Sequence, residues 1–298
     1  MCGIVGLLVK NPALRDRLGE LMLPMLIGMS ERGPESAGLA VFTEAVRSGH
    51  RKFSVYSGTE IAPWSEFGQA AIRQFGTDTA VSTNANHAVL ETTATLGQMK
   101  AWLSGNYPEY HLLSVGRSID LYKDTGSPSE VATRYGFSRL HGSHLVGHTR
   151  MATETAVTPE RAHPFTAGED FCLVHNGSLS NPYSVRRKLE PLGITFETDN
   201  DTEAACRFLE WRMREGDNLE TALEKGFDEL DGFYTFLMGT QDELALVRDA
   251  FSCKPAIVAE TDDYVAISSE FRSLAKLPGV KNAHIFEPNP EQIYLWRA

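Results

Sequence analysis

A chain of 298 residues with 42% hydrophobic and 22% charged side chains has the make-up of a globular protein that buries a real core. Its net charge of -11 argues against a nucleic-acid partner, because phosphate binding draws on clustered Lys and Arg. No apolar run approaches the length of a membrane helix. Lys10, Arg15 and Arg17 follow the first apolar run instead of preceding it, unlike a signal peptide. The cysteines Cys2, Cys172, Cys206 and Cys253 lie far apart, without a zinc or dithiol spacing, which predicts a reduced, cytoplasmic protein.

The first predicted element is the apolar run Ile4–Val9, a buried strand that begins directly after Cys2. Asn11-Pro12 opens a predicted helix whose Leu and Met residues, from Leu14 to Met29, recur at helical spacing. That helix is expected to stop near Gly33-Pro34, and Ala37–Thr43 reads as the next strand. Between about 44 and 143 the pattern is weaker. Strands are expected at Phe53–Ser57, Ala88–Thr95, His111–Val115 and Ser118–Tyr122, with helices at Pro63–Phe75 and Gln98–Leu103. Ser127-Pro128-Ser129-Glu130 carries a capping-box signature for a further helix. No linker-like composition brackets this stretch, so it reads as an elaboration within a single domain spanning 1–298.

From Leu145 the pattern sharpens. Strands are predicted at Leu145–Arg150 and Phe171–Asn176, and helices from Pro182 to about Leu192, after Asp201, and over Leu219–Leu230. Four strands close the chain, at Phe233–Met238, Glu243–Val247, Ala256–Ala259 and Tyr264–Ile267. Strands outnumber helices and come in adjacent pairs, which predicts an α+β sandwich of antiparallel sheets with helices packed outside.

Cys2 becomes the N-terminal residue if Met1 is trimmed, so that one residue holds a thiol nucleophile and an α-amine able to act as its base. Free α-amines titrate near ~8 and thiols near ~8.5, so proton transfer between such groups is nearly balanced. Arg150 ends an apolar strand and offers a planar fork for a carboxylate. Asn176-Gly177 ends another, and reads either as a two-residue hairpin turn or as a pair of oxyanion donors. Asp201, within Asp199-Asn200-Asp201-Thr202-Glu203, reads as part of a helix cap or as a partner for a substrate ammonium. His141, His144 and His148 pass from turn to strand without sharing a face, and lack a carboxylate companion. They are expected to be structural, with no metal bound. A nucleophile, a carboxylate clamp, oxyanion donors and an ammonium partner together describe attack on the side-chain amide of a free α-amino acid, which glutamine satisfies.

The ordered blocks Cys2-Gly3-Ile4-Val5-Gly6, Arg32-Gly33-Pro34-Glu35-Ser36-Ala37-Gly38, His148-Thr149-Arg150, Ala162-His163-Pro164, His175-Asn176-Gly177, Asp201-Thr202-Glu203, Asp231-Gly232, Arg248-Asp249 and Ser268-Ser269-Glu270 run the length of the chain. They resemble the class II glutamine amidotransferases. That resemblance implies an N-terminal-nucleophile (Ntn) hydrolase fold, a four-layer αββα sandwich of two antiparallel sheets. It implies Cys2 as nucleophile, Asn176 and Gly177 as oxyanion hole, Arg150 and Asp201 on the glutamine carboxylate and ammonium, Arg32 at the Cys2 end, and Thr153 in the pocket. Met151 stands where many members carry an aromatic residue, and the gap from Gly33 to His148 is long. The chain is most similar to the glutaminase domain of glutamate synthase and the separate glutaminase subunit of N-methylglutamate synthase. This implies no cofactor in this chain, FMN in a partner subunit, and a hetero-oligomer through which ammonia passes. The competing expectations are an Ntn-type acylase acting on another amide and a non-catalytic scaffold subunit.

Overall fold

In the computed structural model, which describes residues 2–58, 62–151 and 157–298, the first apolar run becomes β1 (Gly3–Val9), buried at every position. It is followed by α1 (Leu18–Ile27) and β2 (Ser36–Phe42). The stretch 44–143 contributes β3 (Arg51–Tyr56), α2 (Trp64–Phe75), β4 (Ala80–Asn84), β5 (His87–Thr92), α3 (Leu96–Asn106), β6 (His111–Gly116), β7 (Ile119–Thr125) and α4 (Pro128–Tyr135). Then come β8 (His144–Arg150), β9 (Phe165–Thr166), β10 (Cys172–Leu179), α5 (Pro182–Leu189), α6 (Asp201–Arg214) and α7 (Leu219–Glu229). The chain closes with β11 (Gly232–Gly239), β12 (Glu243–Arg248), β13 (Ile257–Glu260), β14 (Tyr264–Ser268), α8 (Phe271–Leu274), β15 (His284–Phe286) and β16 (Tyr294–Arg297).

These strands form a seven-stranded sheet in the order β15-β13-β14-β1-β8-β2-β7 and a five-stranded sheet in the order β16-β12-β11-β10-β9. A third sheet, β4-β5-β3-β6, lies wholly within the elaboration. Side-chain alternation along the strands builds the layers. On β1, Val5, Leu7 and Val9 pack with Met22 and Leu26 of α1 and Val131 of α4, while Ile4 and Leu8 face Val174 and Leu237 of the second sheet. Leu173, Phe236 and Met238 turn the other way, onto Leu189, Phe208 and Leu223 of α5, α6 and α7. The result is helix, sheet, sheet, helix. The third sheet has its own core, in which Phe53 and Leu90 meet Phe67 of α2 and Trp102 of α3. From the same stretch, however, β7 joins the seven-stranded sheet and α4 its helical layer.

Three expectations change. The predicted helix from Pro12 is instead a 3-10 turn, Pro12–Arg17, capped by Asn11, followed by a ten-residue α1 that ends at Ile27. Beyond α1 the chain turns, and Arg32 comes back to the Cys2 carbonyl. Asn176-Gly177 is not a hairpin turn, because β10 runs through it to Leu179, with Gly177 opposite Tyr234. Here glycine permits close backbone approach, since a Cβ at Gly177 would stand 2.0 Å from the Phe233 carbonyl and φ is +145°. Finally, β4, β9, β15 and β16 carried no clear signal: β4 is largely solvent-facing and the others are short.

Candidate active site

Parity along three strands brings the site together. Cys2 precedes β1 in phase with Ile4 and Leu8, which face the second sheet. On β8, Val146 faces between the sheets and Leu145 toward the helices, so Arg150 shares the inward side with Val146. On β10, Cys172 and Val174 face inward, and Asn176 follows them. Gly3 is paired with Thr149, which puts Cys2 beside Arg150 at one end of the seven-stranded sheet. Ile4 N–H donates to Ser269 Oγ at 3.0 Å and Ser269 N–H to the Ile4 carbonyl at 3.0 Å, which fixes β1 against the far end of the chain.

Arg32 closes this end. Its Nε donates to the Cys2 carbonyl at 3.0 Å and its Nη1 to Glu270 at 3.2 Å. Gly33 makes that turn possible, because a Cβ there would lie 2.3 Å from the Thr149 carbonyl carbon. Cys2, Arg150, Gly177 and Asp201 line one cavity of about 440 Å³, within the range of small-molecule sites. Asn176 stands beside that lining, not in it. Its side chain is buried, and its amide nitrogen has no hydrogen-bond partner among the described residues. Thr153 lies outside the described residues.

Asp201 is the first residue of α6, and Asn200, not Asp201, caps the helix by accepting from Thr202 N–H at 2.8 Å. That leaves the Asp201 carboxylate for the cavity. One oxygen accepts from Leu179 N–H at 2.9 Å and the other lies 3.7 Å from His175 Nδ1. Burial raises the Asp201 pKa, but His175 and the Leu179 and Thr202 N–H groups more than offset it, leaving the carboxyl at about 2.

The sequence reading missed the histidines at the cavity, where His163 and His175 are part of the lining. Thr202 Oγ1 meets His163 Nε2 at 2.8 Å and His175 Nδ1 at 3.1 Å. His148 donates through Nε2 to the His175 carbonyl at 3.0 Å and stacks on His163 with ring centroids 4.1 Å apart. Burial lowers the pKa of His148 to about 3 and that of His163 well below normal, so the stacked pair is neutral and does not repel. Parity was the available signal, since His175 and Gly177 share one face of β10. Parity also corrects an expectation: His144 and His148 do share a face. Four residues of strand nevertheless set them about 13 Å apart, and His144 is hydrogen-bonded to the Thr240 carbonyl. Among the described residues, no group of His, Cys, Asp and Glu is arranged to hold a metal.

Lys123, fully buried on β7, tethers the segment leading to His163. Its Nζ donates to the carbonyls of Glu160, Ala162 and Pro164 at 3.3, 2.9 and 3.4 Å. Burial pushes its pKa down to about 8.

Residues 148–276 match the family described as "glutamine amidotransferase domain". The glutamine amidotransferase-like protein GlxB of Rhizobium meliloti is 44% identical over 99% of this chain and 98% of its own. The chain belongs to the glutamine amidotransferase family. A putative glutamine amidotransferase of Methanothermobacter thermautotrophicus is 29% identical over 99% of both chains. Among solved structures, the phosphoribosylpyrophosphate (PRPP) amidotransferase of B. subtilis superposes with a TM-score of 0.61 at 19% identity over 99% of this chain. That likeness shows the Ntn-hydrolase fold. This amidotransferase spans about half (49%) of that longer chain. Among its described residues, no helix is long and apolar enough to cross a membrane.

Proposed function

We propose that this amidotransferase is a glutaminase subunit that splits the side-chain amide of L-glutamine and hands the ammonia to a separate synthase subunit. The observation that carries the reading is the convergence of Cys2, Arg150, Gly177 and Asp201 on one cavity. Arg150 takes the α-carboxylate and Asp201 the α-ammonium, which leaves the amide carbon for Cys2. With Met1 removed, the Cys2 α-amine accepts the thiol proton as Sγ attacks the amide carbon. The oxyanion takes hydrogen bonds from the Gly177 N–H and the Asn176 amide. A buried amide nitrogen with no hydrogen-bond partner among the described residues suits that role, since it has a donor to give when charge develops. The proton passes to the departing nitrogen and ammonia leaves. Water then cleaves the thioester to glutamate and restores the thiol.

Support for a separate acceptor comes from the relatives. Those of R. meliloti and M. thermautotrophicus are matched over 98% and 99% of their own length, whereas the PRPP amidotransferase is about twice as long as the matched part. In this reading the acceptor is a flavin-containing, glutamate-synthase-like chain of the N-methylglutamate synthase type that carries FMN. The working protein is then a hetero-oligomer in the cytoplasm. Thr153 would belong to the glutamine pocket, and Arg32 would hold the Cys2 main chain.

The test is glutamine hydrolysis by the processed chain, by Cys2→Ala and by Arg150→Ala, with intact mass recording the state of Met1. Cys2→Ala is expected to abolish hydrolysis with the fold intact, and Arg150→Ala to raise KM for glutamine. Full activity in Cys2→Ala, or with Met1 retained, would remove the mechanism. Hydrolysis of N-acyl substrates indifferent to Arg150→Ala would replace it with an acylase. Copurification with a flavoprotein that consumes the ammonia tests the partner.

A further inference from the structure

A second cavity of about 90 Å³ lies at the seam between the elaboration and the amidotransferase core. The elaboration supplies Leu96 and Lys100 of α3 and the strand β6, and the core supplies Phe165, Glu160, Glu203 and Arg207. At the roughly 30 Å³ that each water occupies in the liquid, the space holds about three waters, which limits an enclosed occupant to the smallest organic solutes.

Its polar lining is under-bonded at one end. Arg207 has five N–H donors. Its Nη2 makes a long hydrogen bond to Glu203 at 3.5 Å and an ion pair with Glu197 at 3.8 Å, while its buried Nε has no partner among the described residues. Glu203 holds Arg207 only at long range, because the Glu203 oxygens also accept from Glu197 N–H at 2.8 Å and from Thr198 N–H and Oγ1 at 2.7 Å each. Lys100 Nζ stands 3.7 Å from Glu197, too far for a hydrogen bond. The buried Ser114 hydroxyl on β6 also lacks a partner among the described residues. Elsewhere in the lining, Glu160 is paired with His111 at 3.3 Å, the buried Lys123 spends its Nζ on the Glu160, Ala162 and Pro164 carbonyls, and Leu96, Leu112 and Phe165 supply apolar wall.

We propose that this cavity is an effector site for a small zwitterionic α-amino acid. Arg207 and Lys100 take its carboxylate, Glu160 takes its ammonium, and the apolar wall covers a short side chain. Two segments join this cavity to the first. Residues 197–201 carry Glu197 and Thr198 in one lining and Asp199, Asn200 and Asp201 in the other. Residues 160–163 carry Glu160 in one and His163 in the other. Occupancy therefore bears on the residues that face glutamine, and this coupling rests on the glutaminase reading above.

The experiment is calorimetric titration of the full chain with L-alanine, with acetate and methylammonium as probes carrying one charge each. Alanine is expected to bind and each half-probe to bind more weakly. Arg207→Gln should weaken alanine binding about tenfold or more, the loss of a charge-assisted pairing. Leu96→Trp, which fills the cavity without touching a charge, should do the same, and Arg150→Gln should leave binding unchanged. No binding up to ~10 mM overturns the site, as does loss in Arg150→Gln with retention in Arg207→Gln, which would place alanine in the glutamine cavity. Alanine should also shift the glutamine KM in the wild type and not in Arg207→Gln. Binding without that shift removes the coupling, and calorimetry decides the site whether or not glutamine is hydrolysed.

Discussion

Asp201→Asn separates what this carboxylate does for folding from what it does for glutamine. Its pKa falls from 3.8 to about 2 in the folded chain. A fall of roughly 1.8 units corresponds to about 2 kcal/mol of stability. The side chain is 25% exposed, so solvent screening takes little from that figure. Because the folded pKa is depressed, the stabilisation is fully present above about pH 4 and is lost as pH falls toward 2. About half should be gone by pH 3. Asparagine keeps an oxygen for Leu179 N–H but cannot titrate, so the variant should lack this part of the acid dependence. Urea denaturation of both proteins from pH 6 to pH 2 measures it. The stability gap between wild type and variant should close by about 2 kcal/mol over that interval. A gap that stays constant with pH refutes the reasoning, because a titrating carboxylate could not be its source. In the same variant the glutamine KM at pH 7 should rise about 10- to 100-fold, the loss of one charge-assisted contact.

Arg32→Ala removes the donor to the Cys2 carbonyl and one of the two arginines on Glu270, so kcat should fall by about tenfold or more, at least ~1.4 kcal/mol of misplacement, with glutamine KM little changed. A purely KM effect in a steady-state assay would instead put Arg32 on the substrate. Gly177→Ala should abolish turnover and cost roughly 1–3 kcal/mol in strain, since its Cβ would meet the Phe233 carbonyl at 2.0 Å. Thermal melting and activity together check it. Ser127→Ala breaks the capping box with Glu130 at the start of α4, none of whose residues lines either cavity. It should cost about 1 kcal/mol by denaturant titration while leaving kcat/KM unchanged.

Local chemistry was readable wherever a few neighbouring residues decide it. The β1 run, the Ser127-Pro128-Ser129-Glu130 helix start and the helix after Asn200 all follow from nearest-neighbour sterics and hydrogen bonds. Alternation along each strand also gives the side on which Cys2, Arg150 and Asn176 must lie, once it is known which side holds the second sheet. The reading failed where a local preference competes with a distant partner. Asn176-Gly177 has the composition of a turn, yet eight consecutive pairs with β11 hold it extended. The helix expected to run to Gly33 ends at Ile27, and Arg32 beyond it meets the Cys2 carbonyl and Glu270, which is 238 positions away.

By itself the amino-acid sequence determined the residue types, their order and the periodicity of each strand and helix, because those depend on steric and hydrogen-bonding preferences within a few residues. Only the tertiary structure decided that His163, His175 and Thr202 meet in the wall of the first cavity, and that α3 and β6 close a second one against α6. Such meetings depend on how whole sheets stack and which strands pair. That choice is made by the summed burial of many side chains, and no single stretch of sequence carries it.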